Sequence, residues 1–230
     1  MKTFSQYLSE KFQLTIKYHP TLNKKLWHSS ELNPTVAPYL IENAKKFATF
    51  SGVPSTLIND IVMTGGNCNY NYTKFSDIDV HVMCNETDLD TTELFDKKSE
   101  WTKKHPELKI EGYPVEYYIQ DEKEHFPGGQ GVYSLLHDKW LIEPKHLDHI
   151  EVLNDPKVID KIKFYIQTAK NLIKDGTEEA IMEFKTKLWR MRSAGLEGAG
   201  EFSVENVLYK DLRNRGLIDK LNNKLDKLSQ

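Results

Sequence analysis

Hydrophobic and polar positions change period several times along this chain, and each change marks an element. Val36, Leu40, Ala44 and Phe47 recur at helical spacing behind Asn33-Pro34, an N-cap followed by proline at the first helical position, until Ser51-Gly52 stops them. That pattern predicts a core-facing helix. Ahead of it, residues 3–12 fit a short amphipathic helix and 13–32 an irregular arm containing Leu22 to Trp27. Behind it the period shortens to two. Residues 60–64 predict a strand ending at Gly65-Gly66, and 78–84 a second strand after a polar, turn-like stretch. A helix over 91–104, strands near 108–111 and 114–120, and a hairpin over 131–143 turning at Leu136-His137-Asp138-Lys139 complete this part.

From Asp155-Pro156 onward the period returns to 3.6, with Ile159, Ile162, Ile166, Ala169 and Ile173 on one stripe and Phe184, Leu188 and Met191 on the next. Gly195, Gly198 and Gly200 read as a loop between helices, closed by Ser203 as N-cap. Strands first and helices afterwards make an α+β chain. Its expected parts are an N-terminal helix and arm (1–32), a sheet-bearing core (33–150) and a helical C-terminal region (151–230).

Composition narrows the function classes only a little. A formal net charge of -3 means that any surface for nucleic acid is local rather than global. Cys68 and Cys84 lack metal-ligand spacing and read as free thiols of a reducing compartment. The first residues have no uninterrupted apolar stretch of the signal-peptide kind, and no later segment is long and apolar enough to span a bilayer, so a soluble, cytoplasmic protein is expected.

Candidate chemistry concentrates in the stretch from Thr64 to Val82. Tandem glycines after a strand let the backbone approach a phosphate and aim N–H groups at it. Asp77 and Asp79, two apart at the mouth of a strand, put both carboxylates on one face about 6.6 Å apart along the backbone, while Ile78 and Val80 turn to the core. Two such aspartates repel each other unless a divalent cation stands between them. In Pro114-Val115-Glu116-Tyr117-Tyr118-Ile119, alternation separates Glu116 from Val115, Tyr117 and Ile119 and makes it a third ligand candidate. Two competitors fail. Haloacid-dehalogenase-type phosphatases place their Asp-x-Asp at the end of an apolar strand, whereas here the apolar run follows. An EF-hand loop needs a glycine at its sixth position and a glutamate at its twelfth, and neither is present.

Gly65-Gly66, the ten-residue gap, Asp77-Ile78-Asp79-Val80 and the later Glu116 resemble the signature of the DNA-polymerase-beta-type nucleotidyltransferase superfamily. More narrowly, Asn69-Tyr70-Asn71-Tyr72 before Ser76-Asp77-Ile78-Asp79, with Leu22 to Trp27, Gly131 to Ser134 and Gly195 to Gly216, resembles predicted nucleotidyltransferases of tailed bacteriophages. The resemblance implies a mixed sheet of that type and two-metal transfer of a nucleotide from an NTP, with Mg2+ or Mn2+. Asp77 and Asp79 would bind the ions that hold the triphosphate, and Glu116 would help bind the ion that activates the acceptor hydroxyl. A general-base role for Glu116 is also open. The acceptor is an RNA end, a protein hydroxyl or a small molecule. The superfamily usually has Gly-Ser where this chain has Gly65-Gly66, so backbone amides or the Asn67 side chain are expected to take over the serine's phosphate contact. That departure supports the alternative of a catalytically impaired phage protein that keeps the fold for binding or structure.

Among lesser candidates, His81 continues the face of Asp77 and Asp79, and packing is the favoured role for it. Lys185, Lys187, Arg190, Arg192, Lys210, Arg213 and Arg215 recur through the C-terminal helices, and Lys187 and Arg190 are taken as nucleotide-binding candidates from that set. Tyr70 and Tyr72 are able to stack on a base, but flank a turn as packing tyrosines do.

Overall fold

The computed structural model describes residues 12–85, 90–126, 129–146 and 151–229. Except for Phe12, the helix expected over 3–12 lies outside them. The chain divides into two compact units, one formed by Tyr18–Leu147 and the other by the chain before Tyr18 and after Leu147.

The first unit opens with a two-stranded ladder, β1 (Trp27–His28) and β2 (Glu31–Leu32), inside the arm that was expected to be irregular. Helix α1 (Val36–Phe50) follows, starting two residues later than Pro34. Asn33 still organises this start: its Oδ1 accepts from Thr35 N at 3.1 Å and from Thr35 Oγ1 at 2.9 Å. Then come β3 (Ile58–Thr64), β4 (Ile78–Cys84), α2 (Thr91–Lys104), β5 (Lys109–Ile110), β6 (Tyr113–Asp121), β7 (Val132–Ser134) and β8 (Lys139–Ile142). β3 to β8 form one mixed sheet in the order β5-β6-β4-β3-β7-β8, parallel between β4 and β6 and antiparallel elsewhere. The architecture is α+β, as the pattern predicts.

Period-two alternation gives the sheet two unlike faces. Ile61, Met63, Ile78, Val80, Val82, Val115, Tyr117 and Tyr133 pack with Leu40, Ala44 and Phe47 of α1 and Trp101 of α2 in the main core. The opposite face carries Asp79, His81, Glu116, Tyr118 and a small cluster of Val62, Met83 and Val132. The arm closes one end of the core with Leu22, Leu26 and Trp27, all at most 4% exposed. Trp27 stacks on Trp140 at 4.7 Å, meets Tyr133 edge-on at 5.1 Å, and donates from Nε1 to the Asn67 carbonyl at 2.8 Å. Trp27→Ala therefore removes a buried ring and its bond, and is expected to lower the unfolding free energy by about 3–5 kcal/mol in a urea titration; a loss below 1 kcal/mol would show the arm to be dispensable.

The second unit is helical: α3 (Glu151–Asn154), α4 (Pro156–Asp175), α5 (Glu178–Ala199), α6 (Val204–Asn214) and α7 (Leu217–Leu228). Asp155, Thr177 and Ser203 cap α4, α5 and α6 by accepting from Lys157 N, Ala180 N and Asn206 N. The expected loop at Gly195 is instead helix, because α5 runs through Gly195 and Gly198 to Ala199. A Cβ on Gly195 would stand 2.7 Å from Ser203 Oγ, so this glycine admits the start of α6 rather than breaking α5. Asp211, fully buried, ties the N-terminal segment to this unit: its Oδ1 accepts from Thr15 N at 2.6 Å and Thr15 Oγ1 at 2.7 Å, and its Oδ2 from Arg215 Nε at 2.7 Å. Among the described residues no helix is long and apolar enough to cross a membrane.

Candidate active site

Parallel pairing of β4 with β6 sets Asp79 directly beside Glu116, and His81 beside Tyr118. Asp77 immediately precedes β4, so strand geometry returns its carboxylate to the same face. Ligand-capable oxygens of Asp77, Asp79 and Glu116 all lie within 4.8 Å of one another, on side chains of intermediate exposure. The three carboxylates singled out from the sequence are thus brought together, with Thr64 of β3 opposite Asp79 on the other side.

Gly65 shapes this site sterically. Its φ of 76° and ψ of -161° are glycine geometry, and a Cβ there would stand 1.9 Å from Asp79 Oδ2. The absent side chain is the space that the Asp79 carboxylate occupies. Gly66 is less constrained: a Cβ would stand 3.0 Å from Ser76 Oγ, so a side chain there would crowd Ser76. Behind the glycines the chain makes a single 3-10 turn, Gly66–Cys68, fixed by asparagines. Asn67 is fully buried, and its Oδ1 accepts from Asn23 Nδ2 at 2.8 Å while its Nδ2 donates to the Asp77 carbonyl at 2.8 Å. Its side chain is thus bonded within the fold and joins the glycine turn to the start of β4. Asn69 does the same on the other side, donating to the Gly65 carbonyl at 2.9 Å and accepting from Gly131 N at 3.1 Å.

Glu116 is held by two donors that the sequence reading did not assign to the site. Lys98 Nζ donates to Glu116 Oε2 at 2.6 Å and to Tyr118 Oη at 2.7 Å, and Tyr118 Oη donates to the same Oε2 at 2.7 Å. The ammonium also lies 3.9 Å from the Tyr118 ring centroid. Burial, and then the charges of Asp79 and Glu116, push the Tyr118 hydroxyl far above the usual phenol range, so it stays a donor. His81 stacks on Tyr118 at 4.6 Å, meets Phe126 edge-on, and shares a hydrogen bond between Nδ1 and Gln120 Oε1. Burial lowers its pKa to about 4, aided by the Lys98 charge and opposed by the Gln120 bond, so its imidazole is neutral and packed, as favoured. Burial likewise raises both thiols, Cys68 with help from the Asp79 charge and Cys84 to about 11, and both are free cysteines.

The donor set fits a divalent cation. Three hard carboxylate oxygens within 4.8 Å suit Mg2+ or Mn2+, and Gly65 leaves the space that Asp79 requires. Lys98 balances one of the three charges through Glu116. Tyr72 stacks on His19 at 4.0 Å and Tyr70 meets His146 edge-on, so both tyrosines have packing partners. Lys187 and Arg190 are exposed on α5 of the helical unit. Others of the basic set are bound within that unit: Lys210 to Glu201, Arg215 to Asp211, and Arg192 to Asn206 and, at 4.8 Å, the Tyr209 ring.

No family model and no curated protein matches the chain. Among solved structures, that of a STING-associated CdnE c-di-GMP synthase from Capnocytophaga granulosa aligns over 86% of this chain and 83% of that chain, at 14% identity and a TM-score of 0.21. A likeness of that degree does not bear on the site, which stands on its own geometry.

Proposed function

We propose that the protein is a metal-dependent nucleotidyltransferase that moves an NMP from an NTP to a hydroxyl acceptor with release of pyrophosphate. The observation that carries this reading is the convergence of Asp77, Asp79 and Glu116 from neighbouring parallel strands beside a glycine turn. In this reading Asp77 and Asp79 hold Mg2+ or Mn2+ against the triphosphate, and Glu116 completes the set on the acceptor side. Bound there, two such ions would stabilise the attacking and leaving oxygens of an in-line displacement. Gly65 and Gly66 bring backbone amides close to phosphate, a contact in which no serine hydroxyl is needed. Asn67 positions this turn by fastening it to Asp77. Lys187 and Arg190 remain proposed phosphate contacts on account of their charge and exposure. The acceptor class is RNA, protein or a small molecule, and an RNA or protein acceptor is the favoured pair.

Equilibrium binding of each NTP with Mg2+ or Mn2+, and again with chelator, tests the first step. The reading expects affinity that chelator removes in the wild type and that Asp79→Asn lacks. Equal affinity with and without metal would overturn the metal assignment.

A further inference from the structure

Trp189 stands 63% exposed in the middle of α5, whereas Trp27 and Trp101 are buried and Trp140 is half-buried. Its neighbours on the helix surface, three and four positions away, are Lys185, Thr186, Arg192 and Ser193. All four are polar. The next apolar side chains on this face, Met182 and Leu196, are each about two turns away. A protein interface surrounds its aromatic anchors with apolar groups and little charge. Two cations and two hydroxyls around an indole suit a nucleotide instead: the base stacks on the ring, and the phosphates and sugar meet the polar rim.

Charge is segregated along α5. Glu178 and Glu179 lie in its first turn, where they favour the helix dipole. Between Glu183 and Glu197 there is no acid, and Lys185, Lys187, Arg190 and Arg192 all fall in that interval, ahead of a last turn without a base. The dipole acts on the terminal turns and so does not account for these four. Elsewhere in the helical unit, cations are paired with acids: Lys161 with Glu205, Lys210 with Glu201 and Arg215 with Asp211. Arg192 is held by neutral groups, since its Nε donates to Asn206 Oδ1 at 3.3 Å and its guanidinium lies 4.8 Å from the Tyr209 ring centroid. Its place is fixed while its charge stays unbalanced.

We propose that this face of α5 docks single-stranded nucleic acid: an unpaired base stacks on Trp189 while Lys185 and Arg192 take the flanking phosphates. Lys187 and Arg190, already proposed as phosphate contacts, extend the positive charge around the helix. A base inside a duplex has no free face for the indole, so the site selects single strands. Docking belongs to the helical unit and does not depend on the acidic triad. One further clause rests on the nucleotidyl-transfer reading above: the docked strand is the acceptor, which favours RNA over protein.

The test is fluorescence anisotropy of labelled oligouridylate, oligodeoxythymidylate and a duplex RNA, each titrated with the full chain over a range of salt concentrations. Wild type, Trp189→Ala, Trp189→Phe, Lys185→Gln and Asp77→Asn are compared, each checked by thermal melting and sedimentation. The wild type is expected to bind single strands about tenfold or more tightly than the duplex. Trp189→Ala should weaken single-strand binding about tenfold, as the loss of one base–aromatic stack does, and Trp189→Phe should keep most of the affinity. Lys185→Gln should reduce the slope of log affinity against log salt by about 0.7, the share of one phosphate contact on a single strand. Asp77→Asn should dock as the wild type does.

Equal single-strand affinity in wild type and Trp189→Ala, or equal wild-type affinity for single strands and duplex, would overturn the inference. So would a wild-type dimer that Trp189→Ala converts to monomer, because a second copy would then cover the ring. Tighter binding of oligouridylate identifies RNA as the strand; tighter binding of oligodeoxythymidylate keeps the docking surface and removes RNA as its source. Nucleotide transfer by a wild type that docks no strand would remove only this surface. Docking by a wild type that transfers nothing would remove the transfer reading, and the acceptor clause with it.

Discussion

Asp77→Asn and Asp79→Asn are each expected to lower nucleotide transfer at least ~100-fold, since divalent-ion stabilisation of the transferring phosphate contributes several kcal/mol and each 1.36 kcal/mol is a factor of ten. The same substitutions should leave the metal-free protein as stable as the wild type, or more so. The triad packs three carboxylates within 4.8 Å, and neutralising one relieves repulsion that the folded chain otherwise bears without metal. Glu116→Gln should lower activity too, but its effect on stability has the opposite sign. It strips the half-buried Lys98 of its counter-ion, at a cost of about 1 kcal/mol given the solvent screening of the pair. Melting curves in chelator, run beside the transfer assay, separate the two kinds of acid. A fold that collapses in Asp77→Asn or Asp79→Asn would make these residues structural and contradict the account.

Gly65→Ala should be the most damaging substitution outside the carboxylates. Backbone geometry alone costs roughly 1–3 kcal/mol for a residue with a Cβ at such angles. The new methyl would also stand 1.9 Å from Asp79 Oδ2, so the carboxylate must leave its place beside Glu116. Metal-dependent NTP binding is expected to be lost in the part of the population that still folds. Gly112→Ala is the control. Gly112 also has a positive φ, 87°, but a Cβ there meets nothing within 4 Å, so stability should fall while NTP affinity stays at the wild-type value. Wild-type NTP affinity in folded Gly65→Ala would show that the close approach of Gly65 to Asp79 has no functional purpose.

Much of the sheet was legible because its polar and apolar positions alternate without a break. Strand 78–84 and helix 91–104 have the bounds that the pattern predicts, and the alternation in β6 puts Glu116 on the face of Asp79. The same alternation also put Tyr118 beside Glu116, a signal that was present and went unused. The hairpin turn runs one residue earlier than expected, from Leu135 to Asp138, since Asp138 adopts φ 50° and ends the turn before Lys139. Gly195 misled because a glycine in helical sequence usually marks an end, whereas here its missing side chain is used for packing against Ser203 and Glu205.

Other parts could not be read from local pattern at all. Lys98 reaches Glu116 from a helix eighteen positions upstream, and nothing in the period of α2 distinguishes it from the solvated lysines around it. The arm showed no chemistry in sequence, yet Asn23 and Trp27 brace the Asn67 turn across 44 and 40 positions. Asn67 shows the same limit from the other side: no local pattern gives the hydrogen bonds of its amide to Asn23 and to the Asp77 carbonyl.

The most direct test of the central claim is transfer itself. Purified protein and its Asp77→Asn form are incubated with each α-labelled NTP, Mg2+ or Mn2+, and total bacterial RNA and protein extracts. The account predicts that wild type alone moves label, from one or a few NTPs, onto an acceptor class that the extract identifies. Label transferred equally by wild type and Asp77→Asn, or by neither although the wild type binds NTP with metal, would contradict it.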